Sequence, residues 1–161
     1  MLRLMITLVS FSLVALSCNN GDSSGETTHQ HSGPPAPKTQ EDSLFHDVMK
    51  GHDAGMAKAG KLRGNINVTK QLLDSLDKLP AKKVDAAYKQ RLIGLQKALV
   101  TADEDMFKWM KDFKHDSASD NKELRIKYLE AEKAKVTVVK DQIFSALNQA
   151  DSVLRPAGSK Q

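Results

Sequence analysis

The chain has 161 residues, of which 40% are hydrophobic, 5% aromatic and 27% charged, with a net charge of +4. That size suits one domain with a modest core, and the shortage of aromatics argues against a large α/β enzyme. Charge of both signs argues against a wholly disordered tail, and acids and bases that alternate rather than cluster argue against a nucleic-acid partner.

The first element is an export signal over residues 1–17. Arg3 is its only charge, and a largely apolar stretch runs from Leu4 to Leu16. A membrane-spanning helix needs about 20 apolar residues, so this stretch is too short to remain as an anchor. Cys18 follows, the only cysteine of the chain, which excludes an internal disulfide. The segment Ala15-Leu16-Ser17-Cys18 resembles the cleavage site of bacterial lipoprotein precursors. That resemblance implies a diacylglycerol on the Cys18 sulfur, cleavage just before it and an acylated new amino terminus. It implies membrane attachment through that lipid, in the cell envelope, as an outer-membrane lipoprotein facing the periplasm or the exterior. Ala15 stands where that family prefers leucine, and the same letters also fit an ordinary Ala-x-Ser cleavage that would leave a free thiol.

Residues 18–40 form the lipid-bearing cysteine and a linker. The stretch from Asn19 to Gln40 holds no large apolar side chain and is rich in Gly, Ser, Thr, Asn and Pro. Nothing in it offsets the entropy of ordering, so it is expected to be a flexible tether, holding the domain on the order of 25 Å from the membrane. His29 and His31 fall here; mobile imidazoles bind a transition metal weakly at best, and polar filler is the plainer reading.

From residue 41 to 155 the composition turns to Ala, Leu, Lys, Asp and Met with apolar residues three and four apart, the spacing of helices. Thr39 with Asp42 makes a capping-box start, and Pro80 ends the first stretch near Leu79. Its seam is Phe45, Val48, His52, Gly55, Ala59, Leu62, Ile66, Thr69, Leu73 and Leu76, interleaved with Gly51, Gly60 and Gly64. Each interior glycine costs about 1 kcal/mol against alanine. Close approach of a bulky side chain from another helix and a bend near Gly60 both account for their presence.

The second stretch, from about Val84 to Phe113, carries Tyr88, Leu92, Leu95, Leu99, Ala102, Met106, Trp109 and Phe113 in unbroken steps of four and three. Ile93, Val100, Phe107 and Met110 widen this seam toward a second neighbour. After the polar joint 115–121, Asp120 with Glu123 makes another capping pair. The third stretch repeats the spacing through Leu129, Glu132, Val136, Val139, Ile143, Ala146, Ala150 and Val153, and Pro156 closes it before a disordered tail, 156–161. Only Glu132 interrupts the apolar seam. Short connections make consecutive helices antiparallel neighbours, so the expected fold is all-α, an up-down-up, coiled-coil-like three-helix bundle. A hairpin that completes its core by forming a homo-oligomer is the competing architecture.

Folding on these joints gathers Met49, Met56, Met106 and Met110 at one end, with Trp109, Phe113, Tyr128, His46, His52 and His115. Thioether and imidazole together suit a soft ion such as copper(I). The candidate metal ligands are Met49, His52, Met56, Met106, Met110 and His115. Adaptable core packing, with no cofactor, reads the same methionines, as does an apolar small-molecule pocket. The dipeptides His46-Asp47, His52-Asp53 and His115-Asp116 suggest a metal-dependent phosphohydrolase, yet adjacent helical residues diverge by about 100° and share one ion poorly. No catalytic signature of the zincin, serine-hydrolase, phosphate-loop or paired-cysteine kind occurs, so a non-enzymatic role is expected.

On FHDVMKGHDAGMAKAGKLR (45–63), ADEDMFKWMKDF (102–113) and YLEAEKAKVTVVKDQI (128–143), the chain resembles a family of small Bacteroidota lipoproteins, many labelled "viral A-type inclusion protein". The resemblance implies an exported helical protein. It transfers no catalytic residue and implies nothing about viruses. Together these readings point to a lipid-anchored envelope protein that acts by binding another envelope component or by spacing, with soft-metal handling as the alternative.

Overall fold

The structure, a computed structural model, describes residues 38–155. The export signal, Cys18, the tether with His29 and His31, and the tail 156–161 lie outside the described residues.

Helix α1 (Gln40–Met56) starts where the Thr39 and Asp42 pattern placed it. The Thr39 hydroxyl accepts from the Asp42 N–H at 3.0 Å, and the Asp42 carboxylate accepts from the Thr39 N–H at 3.1 Å, closing the capping box. The Thr39 side-chain bond holds the Asp42 carboxyl below its ordinary value. The first stretch then divides. Ala57 and Lys58 keep right-handed backbone angles, but the Lys58 N–H reaches back to the Gly55 carbonyl, three residues away, instead of four. This tightened turn ends one helix and starts α2 (Ala59–Asp77) without a reversal of direction in the backbone angles. The break between the two helices therefore falls at Ala57 and Lys58, just before Gly60.

Pro80 and a 3-10 turn, Ala81–Lys83, lead into α3 (Ala86–Asp112). The Asp85 carboxylate accepts from the Tyr88 N–H at 3.0 Å and caps it. In the joint to α4, Ala118 takes a left-handed backbone (φ 56°), and the Ser117 carbonyl accepts from Arg125 Nη1 at 3.1 Å. Helix α4 (Lys122–Val153) is capped by Asn121, whose side chain accepts from the Leu124 N–H at 3.0 Å. Asp120, the expected cap, lies one residue too early. Among the described residues every regular element is helical, none is a strand, and no helix is long and apolar enough to cross a membrane.

The seams expected from spacing are the core. Val48, Leu62, Leu92, Leu95, Leu99, Leu129, Val136 and Ile143 are almost fully buried, joined by Ala102, Met106, Trp109, Ala146 and Ala150. The expected widening of the α3 seam is half realised. Val100 and Met110 are partly buried, whereas Ile93 and Phe107 remain exposed. Phe107 instead carries the Arg63 guanidinium 4.9 Å from its ring centre, a cation–π contact that takes the place of burial.

The tightened turn decides which neighbour each half of the first stretch meets. Helix α1 lies mainly against α4, and α2 mainly against α3. Glu41 pairs with Arg125 and Asp47 with Lys133, while Arg63 pairs with Asp103 and Lys89 with Asp77. The Lys133 ammonium holds the Asp47 carboxyl below its ordinary value.

Candidate functional site

The end of the domain where α1, α3 and α4 meet collects its sulfur and most of its aromatic rings. Trp109 and Phe113 are one turn apart on α3 and stack with centroids 5.1 Å apart. Phe113 continues to Tyr128 of α4 at 6.1 Å, and Trp109 continues to His52 of α1 at 5.7 Å. Four rings thus form a ladder across three helices. The Tyr128 hydroxyl accepts from the Lys114 N–H at 2.7 Å, tying the ladder to the end of α3.

Trp109 is 6% exposed, so its indole N–H needs a partner inside the core. Glu132 is that partner: Oε2 accepts from Nε1 at 2.9 Å, and Oε1 accepts from Lys135 Nζ at 2.8 Å. The carboxylate is 4% exposed, yet both oxygens are satisfied. Its hydrogen bond to Lys135 raises that ammonium above its ordinary value. The interruption of the α4 seam at Glu132 therefore answers the tryptophan opposite it. A buried arginine serves the same end: Arg125 Nε donates to Glu41 Oε1 at 3.1 Å, joining the start of α1 to α4.

His52 is the most informative side chain. It is one-fifth exposed, its Nδ1 is 2.8 Å from Asp53 Oδ1, and its Nε2 is 3.3 Å from Met110 Sδ. A carboxylate can only accept, so Nδ1 carries the proton in that bond. Adjacent helical residues were expected to diverge, but the Asp53 carboxylate bends back onto its neighbour's ring.

Of the six candidate ligands, His52 and Met110 are in contact. Met56 is partly buried against the core, four residues after His52. Met106 is buried and sends its methyl toward Gly55, where an added Cβ would stand 2.5 Å away. Met49 is partly buried one turn before His52. His115 is exposed on the α3–α4 joint, with Nδ1 2.6 Å from Asp116 and its ring edge-on to Phe45 at 5.1 Å. Phe45 lies seven residues, about 10 Å of helix, before His52, so the joint histidine belongs to a different contact. Among the described residues, no three His, Cys, Asp or Glu side chains gather as a metal site.

A second surface lies between α3 and α4. It is an open groove lined by Gly94, Ala98 and Thr101 on one wall and Val138, Asp141 and Ser145 on the other. Gly94 has no heavy atom within 4 Å of where a Cβ would stand, and Val138 is 57% exposed.

Sequence spacing located the methionine and aromatic end but missed the Asp53 and Glu132 contacts. The one visible signal was a charged residue inside an apolar seam. Comparison with protein families, with curated proteins and with solved structures finds no match to this chain.

Proposed function

We propose that this chain is an exported, lipid-anchored protein of the bacterial cell envelope, akin to the small lipoproteins it resembles, with a binding or structural role and no enzymatic chemistry. The observation that carries this reading is the Leu4–Leu16 apolar run ending on the chain's only cysteine, followed by a linker without large apolar residues. Two or more acyl chains on Cys18 hold a protein stably at a membrane where one alone is marginal. Beyond the linker, the helical part is an up-down-up bundle with an envelope protein as its partner, met along a helix face. Supporting the arrangement, contacts between α1 and α4 advance together along both helices (Glu41 with Arg125, Asp47 with Lys133), while those of α3 run in the opposite sense (Trp109 with Glu132, Phe113 with Tyr128). The open α3–α4 groove is the face with apolar surface to offer.

Metabolic labelling with palmitate tests the anchor. The wild-type chain takes up label and fractionates with membranes, and Cys18→Ser does neither. An unlabelled wild-type chain ends the lipoprotein reading.

A second reading, soft-metal binding at the methionine end, is favoured by one observation, the contact between His52 Nε2 and Met110 Sδ.

A further inference from the structure

Helices α3 and α4 each carry two stripes spaced by three and four, and only one of each is used inside the chain. On α3 the buried seam Leu92, Leu95, Leu99, Ala102, Met106 and Trp109 is shadowed one residue earlier by Arg91, Gly94, Ala98, Thr101, Asp105 and Lys108. On α4 the buried Val136, Val139, Ile143, Ala146 and Ala150 are shadowed in the same way by Lys135, Val138, Gln142, Ser145 and Gln149. Adjacent residues of a helix stand about 100° apart, so each second stripe faces away from the core that the first one joins. The two second stripes are the walls of the open α3–α4 groove. A double seam of this kind suits a helix with two neighbours, and here the second neighbour is missing.

The charges on the two walls say what fits. The register set by Trp109 with Glu132 and Phe113 with Tyr128 brings Asp105 to the level of Lys135, and Lys97 to about that of Asp141. Read along the groove, the α3 wall therefore runs cation then anion while the α4 wall runs anion then cation. Neighbouring Asp103 and Lys108 are already paired, with Arg63 and Asp112, but Lys97 and Asp105 have no ion-pair partner among the described residues. Lys135 and Asp141 are exposed and bond Glu132 and Lys140, which leaves each of them further donors or lone pairs. A two-fold axis running along the helices lays each α3 wall on the α4 wall of a copy. It sets Lys97 against Asp141 and Asp105 against Lys135, twice over, and Val138 against the small residues around Thr101. A strongly acidic or basic partner has no such match, because the walls cancel. The chain's own linker has no large apolar side chain with which to fill the groove.

We propose that the α3–α4 groove is the interface of a parallel homodimer, closed by a second copy of this chain. From Arg91 to Lys108 the face is about 25 Å long. With axes about 10 Å apart it is about 20 Å wide. Two copies then bury on the order of 1,000 Å² in total, the lower end for a specific interface, so the dimer is one that dissociates on dilution. This deepens the binding reading by naming what meets the open helix face, and it does not depend on the lipid. Unlabelled wild type in the palmitate experiment ends the anchor and leaves the dimer; a monomer ends the dimer and leaves the anchor.

Sedimentation equilibrium of the full chain carrying Cys18→Ser, in density-matched detergent, tests it without lipid or thiol. The expected mass is that of two chains, with a dissociation constant on the order of micromolar. Val138→Glu buries an unpaired carboxylate in the interface and weakens pairing about 100-fold. Leu124→Glu, at a position equally exposed but outside the groove, leaves it unchanged. Lys97→Asp and Asp141→Lys each weaken pairing about 10-fold, and the two together in one chain restore it. Differently tagged Thr101→Cys and Val138→Cys chains form a mixed disulfide, whereas Thr101→Cys alone forms none. A chain still monomeric at about 100 μM overturns the interface, whatever other protein it binds. Undiminished pairing in Val138→Glu, no rescue by the double charge swap, or self-linking of Thr101→Cys also overturns it. If Val138→Glu loses helix, Gly94→Gln takes its place, since within one chain that side chain meets open space, and the same loss of pairing is expected.

Discussion

Helices α1 and α2 divide one sequence stretch, and each holds two glycines used in opposite ways. On α1, Gly51 and Gly55 are four residues apart and share the face turned to α4. A Cβ on Gly51 would stand 3.0 Å from Val136 Cγ1, and one on Gly55 would meet Met106 Cε at 2.5 Å and Ile143 Cδ1 at 3.3 Å. On α2, Gly60 and Gly64 have nothing within 4 Å of that position. The first pair makes room for the branched Val136 and Ile143 of α4 and for the Met106 methyl of α3. The second pair carries the conformational cost of glycine with no contact in return. The same residue type at the same density thus serves packing in one half and leaves latent stability in the other.

The comparison breaks first at Gly55. Replacing it with leucine forces a large side chain against Met106, Ile143 and the α4 backbone near Lys140, and overpacking of this kind costs about 2–3 kcal/mol. Urea unfolding followed by helical circular dichroism is expected to show the unfolding free energy falling by that amount, with a lower midpoint; an unchanged midpoint would mean that α1 does not rest on α4 as described. Gly64→Ala sharpens the contrast in the other direction. It meets open space, so helix propensity alone acts, raising stability by about 1 kcal/mol in the same assay. A loss of stability there would show that α2 has a close neighbour after all.

The smallest effect separates the two halves by pH. Asp42, through the Thr39 side chain, and Asp47, through Lys133, have carboxyls held below their ordinary values, and both belong to α1. A depressed folded value contributes stability above the ordinary carboxylate range and loses it as pH falls through the folded value. Below about pH 4, amide exchange corrected for its intrinsic rate should therefore rise in α1 before α2. Earlier loss of protection in α2 would contradict it.

Much of the helical architecture was legible because it depends on local rules. Thr39 with Asp42 announced a capping box, Pro80 a helix end, and the four-and-three spacing of Leu92, Leu95, Leu99, Ala102, Met106 and Trp109 the buried face of α3. The cap of α4 was misplaced by one residue because Asp120 and Asn121 are both good caps, and only backbone angles choose between them. Phe107 and Ile93 were assigned to the core from hydrophobicity, which cannot say how far around a helix its neighbours reach. Glu132 looked like an interruption because nothing in α4 alone announces an indole N–H across the interface.

Composition and spacing, read without coordinates, indicated that residues 41–155 would be built from long helices broken near Pro80 and at the polar joint 115–121, and which faces would be apolar, since propensity, capping and periodicity act within a few residues. Folding alone decided that the first stretch tightens at Ala57 and Lys58 and so changes neighbours, that two of its glycines meet α4 while two meet nothing, and that His52 reaches a thioether 58 positions away while Asp53 turns its ring. Such contacts join residues distant in the chain, and their angstrom-scale geometry follows from how three helices pack at once, which no local pattern encodes.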